Sequence, residues 1–110
     1  MTDTDFGFDD FRCAASDLYD EAYYVLLSKQ RDYGPDNIRL SPFGEQVGLL
    51  TRIMDKVQRA AHLVSTGSDP QHESIRETYL DLMNYGAIGM MLVDDTFPKP
   101  KQWYREGGHL

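Results

Sequence analysis

Two clusters of helix breakers cut this chain into three long stretches, each of which repeats its apolar residues at helical spacing. The breakers are "RDYGPDN", with Gly34 and Pro35, and "STGSDP", with Gly67 and Pro70. No stretch alternates with the period of two that a half-buried strand needs, so the fold class is all-α. The first helix is predicted from about Asp9 to Gln30, with Phe11, Ala15, Leu18, Ala22, Val25 and Leu26 on one side. The second follows Ser41 as N-cap and Pro42 as first helical residue, with Val47, Leu50, Met54, Val57, Ala61 and Val64 as its apolar stripe. Gly67 closes it. Asp69 and Pro70 then open a third helix that runs to about Val93, with Ile75, Tyr79, Leu82, Met83, Gly86 and Met90 on its apolar side.

Three helices of this length form an open bundle, so pairing with further copies is expected to complete the core. Gly86 and Gly89 weaken an exposed helix and make sense where another backbone approaches. From Tyr85 to Val93 the third helix is apolar all round, as at a buried helix end or a subunit contact. Residues 1–8 read as a loose acidic arm, 9–93 as the helical domain and 94–110 as an irregular tail that Trp103 pins to the body.

Charge narrows the partners. The 110 residues carry a net charge of −7, which disfavours general binding to nucleic-acid backbone or to an anionic membrane surface. The longest apolar run, "AIGMMLV", is too short to span a bilayer. The start "MTDTDFGFDDF" is acidic and unlike a targeting segment, and Cys13 is the single cysteine. Both features point to a reducing, cytoplasmic setting.

The candidate chemistry lies on two polar stripes. On the third helix Glu73, Glu77, Asp81 and Asn84 fall within roughly 80° of one another. On the second, Glu45, Arg52, Lys56 and Arg59 fall within roughly 60°. Pairing between the stripes accounts for them without any ligand. Alternatively, Glu77 and Asp81 share one Mg2+, with Glu73 or Glu45 as a further ligand, and Arg52, Lys56 and Arg59 grip phosphate oxygens. Asn84 then reads a base edge or ribose. In the loop between the first two helices, Lys29, Asp32, Tyr33 and Asn37 either serve the turn or face a ligand, with Tyr33 able to stack on a base.

Three segments occur in a characteristic order. They are Lys29, Asp32, Tyr33 and Gly34; then Gly48, Arg52, Asp55, Lys56 and Arg59; then Glu73, Ser74, Glu77, Thr78, Asp81, Asn84 and Tyr85. Over roughly residues 10–93 this resembles the nucleotide modification associated domain 1 family of phages and bacteria. That family is distantly similar to the MazG-type all-α nucleoside triphosphate pyrophosphatases, which bind Mg2+ through acidic residues of two helices. The resemblance implies a nucleotide or modified nucleotide as ligand and a phage-encoded protein in the bacterial cytoplasm. Lys29, Asp32, Tyr33, Asn37, Arg52, Lys56, Arg59, Asn84 and Tyr85 are then the nucleotide-binding set. If hydrolysis follows, Glu73, Glu77 and Asp81 hold the metal and Glu45 or Glu73 acts as base. The E-x-x-E pair of the pyrophosphatases is absent, since the second helix offers only Glu45 and Asp55. Two further readings use the same residues: a non-enzymatic sponge for a (cyclic) nucleotide second messenger, and a structural helical adaptor.

Overall fold

A computed structural model of the chain describes residues 7–67 and 74–105. Among these, three long helices carry the fold: α1 (Phe8–Tyr33), α3 (Glu45–Thr66) and α4 (Ile75–Val93). Two short ones, α2 (Asp36–Arg39) and α5 (Pro100–Arg105), join and close them. No strand is present among the described residues, and none of their helices is long and apolar enough to cross a membrane.

The ends of α1 follow from local hydrogen bonding. Asp10 accepts from the Gly7 backbone N–H at 2.9 Å, and Asp9 and Asp10 place negative charge in the first turn. At the other end the helix runs three residues past Gln30. The Gly34 N–H donates to the Gln30 carbonyl at 2.7 Å, and Gln30 Nε2 returns a bond to the Gly34 carbonyl at 3.1 Å. Gly34 has φ +70°, a conformation that favours glycine.

Pro35 then starts a helix rather than only ending one. Its carbonyl accepts from the N–H groups of Ile38 and Arg39, which builds α2 and drives Ile38 into the core at 1% exposure. The expected start of α3 at Ser41 and Pro42 is corrected to Glu45, with Gly44 as N-cap at φ +105°. Ser41 does not cap, because its hydroxyl donates to the Ile38 carbonyl at 2.9 Å. It packs so close to Gly48 that a Cβ at that glycine would lie 2.3 Å from its own. Gly67 closes α3 at φ +63°, as the sequence indicates.

The start of α4 also moves, to Ile75. Ser74 is the cap, its hydroxyl accepting from the Glu77 N–H at 3.0 Å. The expected cap Asp69 and first-turn Pro70 lie outside the described residues. Buried Thr78 donates its hydroxyl back to the Ser74 carbonyl and locks the turn.

The core sits at one end of the molecule. Ile38, Leu49, Ile88 and Phe97 are almost fully buried, with Leu26, Ile53, Tyr85, Met91 and Leu92 packed around them. Phe97 is the more deeply buried anchor of the segment after α4, and Trp103 lines a cavity with Leu26, Leu27 and Ile88. Arg39 donates to the carbonyls of Phe97 and Pro98, pairs with Glu45, and lies 5.2 Å over the Phe97 ring. Trp103 is only half-buried.

The apolar stripes are the largest departure from expectation. Val47, Leu50, Met54 and Val64 of α3 are 52–69% exposed, and Tyr79 and Met90 of α4 are 56% and 68% exposed. The side of α3 turned inward carries Leu49, Ile53 and Ala60 together with half-buried Arg52, Lys56 and Arg59. The inward side of α4 carries Thr78, Asp81, Asn84 and Ile88. In α1, Ala22 and Leu26 reach the body, whereas Phe11 and Leu18 stand exposed. The radius of gyration, 16.8 Å, exceeds the roughly 13 Å of a compact chain of this length.

Phe97→Ala is expected to cost about 3 kcal/mol of unfolding free energy, as a large core truncation does. Trp103→Ala should cost less than about 1.5 kcal/mol, because only part of that ring leaves water. Urea unfolding of both variants checks the order. A larger loss at Trp103 contradicts the assignment of the anchor.

Candidate functional site

Polar side chains from α1, α3 and α4, with Asn37 of α2, converge on one cavity of about 330 Å3. Its centre is Asp81, whose side chain is 12% exposed. Lys29 of α1 donates to Asp81 Oδ1 at 2.8 Å, and Lys56 of α3 approaches Oδ2 at 3.0 Å. One carboxylate therefore joins three helices. Glu77 lies one turn before it on α4, and Asn84 and Tyr85 follow about one turn after. Leu26, Gln30 and Ile88 form the apolar and amide walls, and Tyr33 and Asn37 complete the lining.

The hydrogen bond to Asp81 raises the Lys29 pKa above its ordinary value, while burial and neighbouring Lys56 pull it down. A cation with a raised pKa contributes its full stabilisation below its unfolded value. That stabilisation is lost only as pH rises through the folded value, so the Lys29–Asp81 link persists across the neutral range. Two amide atoms in the lining are less well served. Asn84 is 8% exposed, and its buried Nδ2 has no hydrogen-bond partner among the described residues. The buried Asn37 Oδ1 is in the same position. An unmet buried polar atom costs about 1–3 kcal/mol, so these two atoms mark where a ligand's donor and acceptor would be welcome.

The site residues expected from sequence divide into two groups. Lys29, Tyr33, Asn37, Lys56, Glu77, Asp81, Asn84 and Tyr85 meet around the cavity. The others do not line it. Asp32 is exposed on α1. Arg52 donates to the Asn37 carbonyl at 2.7 Å and so holds α2 on α3. Arg59 is half-buried one turn beyond Lys56. Glu45 pairs with Arg39 at the start of α3, about 16 Å along the axis from Lys56. Glu73 lies outside the described residues. Sequence reasoning missed Gln30 and Arg39. A buried glutamine inside an apolar stripe, and an arginine just after a Gly-Pro turn, were the available signals.

Mg2+ asks for a near-octahedral shell of oxygens. Both Asp81 oxygens are held by ammonium groups, and a cation would have to displace them. Among the described residues no three His, Cys, Asp or Glu side chains gather to hold a metal ion. As arranged, the residues suit an anion or a neutral polar ligand better than a divalent cation.

Asp81→Asn removes a negative charge that half-buried Lys29 and Lys56 both face. Breaking a fully buried pair costs about 3–5 kcal/mol, and the exposure of Lys29 reduces this to about 2 kcal/mol. Millimolar pyrophosphate should restore part of the loss in the variant and do less for the wild type, because it supplies the missing negative charge. Thermal melts with and without pyrophosphate test this. A second check concerns Glu21, whose pKa is lowered by the hydrogen bonds from Arg76 at 2.6 and 2.7 Å. A lowered carboxylate stabilises above its unfolded value and loses that effect as pH falls through the folded one. The small Tm gap between wild type and Glu21→Gln should therefore be present at neutral pH and close in acid.

The model of the nucleotide modification associated domain 1 family matches residues 29–93. The match begins at the first cavity lysine and ends with α4, so it takes in every lining residue except Leu26 and leaves most of α1 outside. Neither the search of curated proteins nor that of solved structures found a match. The matched span is more than half of the chain, which therefore belongs to the nucleotide modification associated domain 1 family.

Proposed function

We propose that this protein binds a nucleotide or modified nucleotide in the cavity around Asp81, and that it does so as a homo-oligomer. The observation that carries the proposal is convergence. Lys29, Tyr33, Lys56, Glu77, Asp81, Asn84 and Tyr85 come from three separate family segments, and they line a single polar cavity. The family description speaks of nucleotide modification, and the cavity offers what a nucleotide needs. Lys29 and Lys56 can exchange Asp81 for phosphate oxygens. Asn84 and Asn37 have amide atoms to offer a base edge or ribose. Tyr33 and Tyr85 supply aromatic faces.

Binding is favoured over magnesium-dependent hydrolysis, because Asp81 gives both oxygens to lysines and Glu45 is engaged by Arg39 away from the cavity. A purely structural adaptor is disfavoured by the unmet amide atoms. About 330 Å3 lies at the small end of ligand sites, which favours a mononucleotide over a dinucleotide messenger. The free, exposed Cys13 fits a reducing compartment such as a bacterial cytoplasm, whether or not a phage encodes the chain.

A panel of nucleoside mono- and triphosphates, modified nucleotides and cyclic dinucleotides, each with and without Mg2+, tests the reading by thermal shift. A ligand at 100 times its Kd should stabilise the protein by about 2.7 kcal/mol. Lys56→Ala should weaken that ligand by about 1.5–3 kcal/mol, roughly tenfold or more, through the lost charge-assisted hydrogen bond. Silence across the whole panel, with the protein folded, would sink the nucleotide reading.

A further inference from the structure

Among the described residues, nothing packs against the Cα of Gly86. It sits in the interior of α4, where glycine weakens a helix, and a Cβ built there meets nothing within 4 Å. Gly89 differs, since its Cβ would lie 3.2 Å from Leu49 Cδ2, so α3 accounts for it. Around Gly86 runs a ribbon of exposed apolar side chains: Leu50, Met54 and Val64 of α3, and Tyr79, Met90 and Val93 of α4. Two shallow grooves place all of these but Met54 on one side of the α3–α4 pair, and Met54 shares the α3 face of Leu50 by its i+4 spacing. One groove includes Leu50, Gly86 and Met90, and the other includes Val64, Tyr79 and Leu82.

We propose that this ribbon is the interface of a two-fold homodimer, in which two α3–α4 pairs make a four-helix bundle and the partner's helix crosses closest at Gly86. The proposal deepens the homo-oligomeric reading above and rests on it. Three features select a second copy as the occupant. The ribbon runs about 20 Å along each helix and is two helices wide, and its exposed side chains can bury on the order of 600 Å2 per protomer, which brings a pair to the lower end of the range of stable interfaces. Apart from Asp94 at the end of one groove it carries no charged residue, and two chains of net charge −7 meet most readily on a face with so little charge. Two packed helices also need two more to close a bundle core, and an identical pair supplies them. Glu77, Asp81 and Asn84 lie about half a turn of α4 away from the ribbon, so the cavity stays accessible in the dimer.

Sedimentation equilibrium of the full chain at micromolar concentration tests the proposal. The wild type should show twice the 12.6 kDa chain mass. Gly86→Leu fits the open space of the single chain and should raise the dimer dissociation constant by about tenfold or more, as should Met54→Lys. Phe11→Lys, on exposed α1, should leave the dimer intact. A monomeric wild type overturns the proposal. So does a dimer that survives both Gly86→Leu and Met54→Lys, or one that only Phe11→Lys breaks. If Gly86→Leu loses its helical circular dichroism, Met54→Lys, at an already exposed position, decides alone. No nucleotide enters the measurement, so its outcome is independent of the binding screen.

Discussion

One carboxylate ties the long helices together. Asp81 accepts from Lys29 of α1 and Lys56 of α3, and beyond this α1 touches the body mainly through Ala22, Leu26, Gln30 and the Glu21–Arg76 pair. Remove Asp81 and both lysines lose this shared partner where α1, α3 and α4 meet. A part-buried ion cluster of this kind adds little net stability compared with apolar packing, because each charge gives up hydration. What it does supply is register. Together with Glu21–Arg76, the Lys29–Asp81 pair sets α1 alongside α4 in the same direction, and together with Leu49 beside Gly89, the Lys56–Asp81 pair sets α3 against it.

The rest of the structure follows from that placement. With the charged stripes turned inward, the apolar stripes of α3 and α4 must turn outward, because both lie on the same helices about a third to half a turn away. The single chain therefore buries a small core at one end and exposes an uncharged face along its length. An open pair of helices with a polar inside and an apolar outside is unfavourable in isolation, since the apolar face remains in water. The same pair becomes ordinary once a second apolar face covers it.

This arrangement explains what the sequence disclosed. Periodicity disclosed the long helices, and the glycine at position 67 disclosed the end of α3, because both signals are local. The meeting of Lys56 with Asp81 was also legible, since complementary stripes on adjacent helices have few other places to go. Which stripe faces inward was not legible. Hydrophobic patterning marks a face that is costly to leave in water, not which surface covers it. The starts of α3 and α4 were misplaced because Ser41 and Asp69 look like caps in sequence. Tertiary contact decided otherwise at Ser41, which is drawn against Gly48 and the Ile38 carbonyl. Arg39 and Phe97 were overlooked because they act across 58 residues of chain, beyond the reach of any spacing rule.

Acidic spacing alone does not choose between a metal ion and a cation of the protein. Glu77 and Asp81 at i and i+4 would suit a cation if they stood alone. Here lysines from two other helices reach Asp81 first, and a lysine ammonium on a fixed helix is always at hand whereas a metal must be drawn from solution. A phosphate competes on different terms. It offers the lysines more negative charge than one carboxylate does and leaves Asp81 to accept a hydrogen bond or to turn toward water. The exchange is nearly balanced in charge, so affinity must come from the groups that Asp81 cannot satisfy: the Asn84 and Asn37 amides and the aromatic walls. Selectivity would then reside in the base and sugar rather than in the phosphate. That is the division of labour expected of a protein that must pick one nucleotide from a pool in which every member carries phosphate.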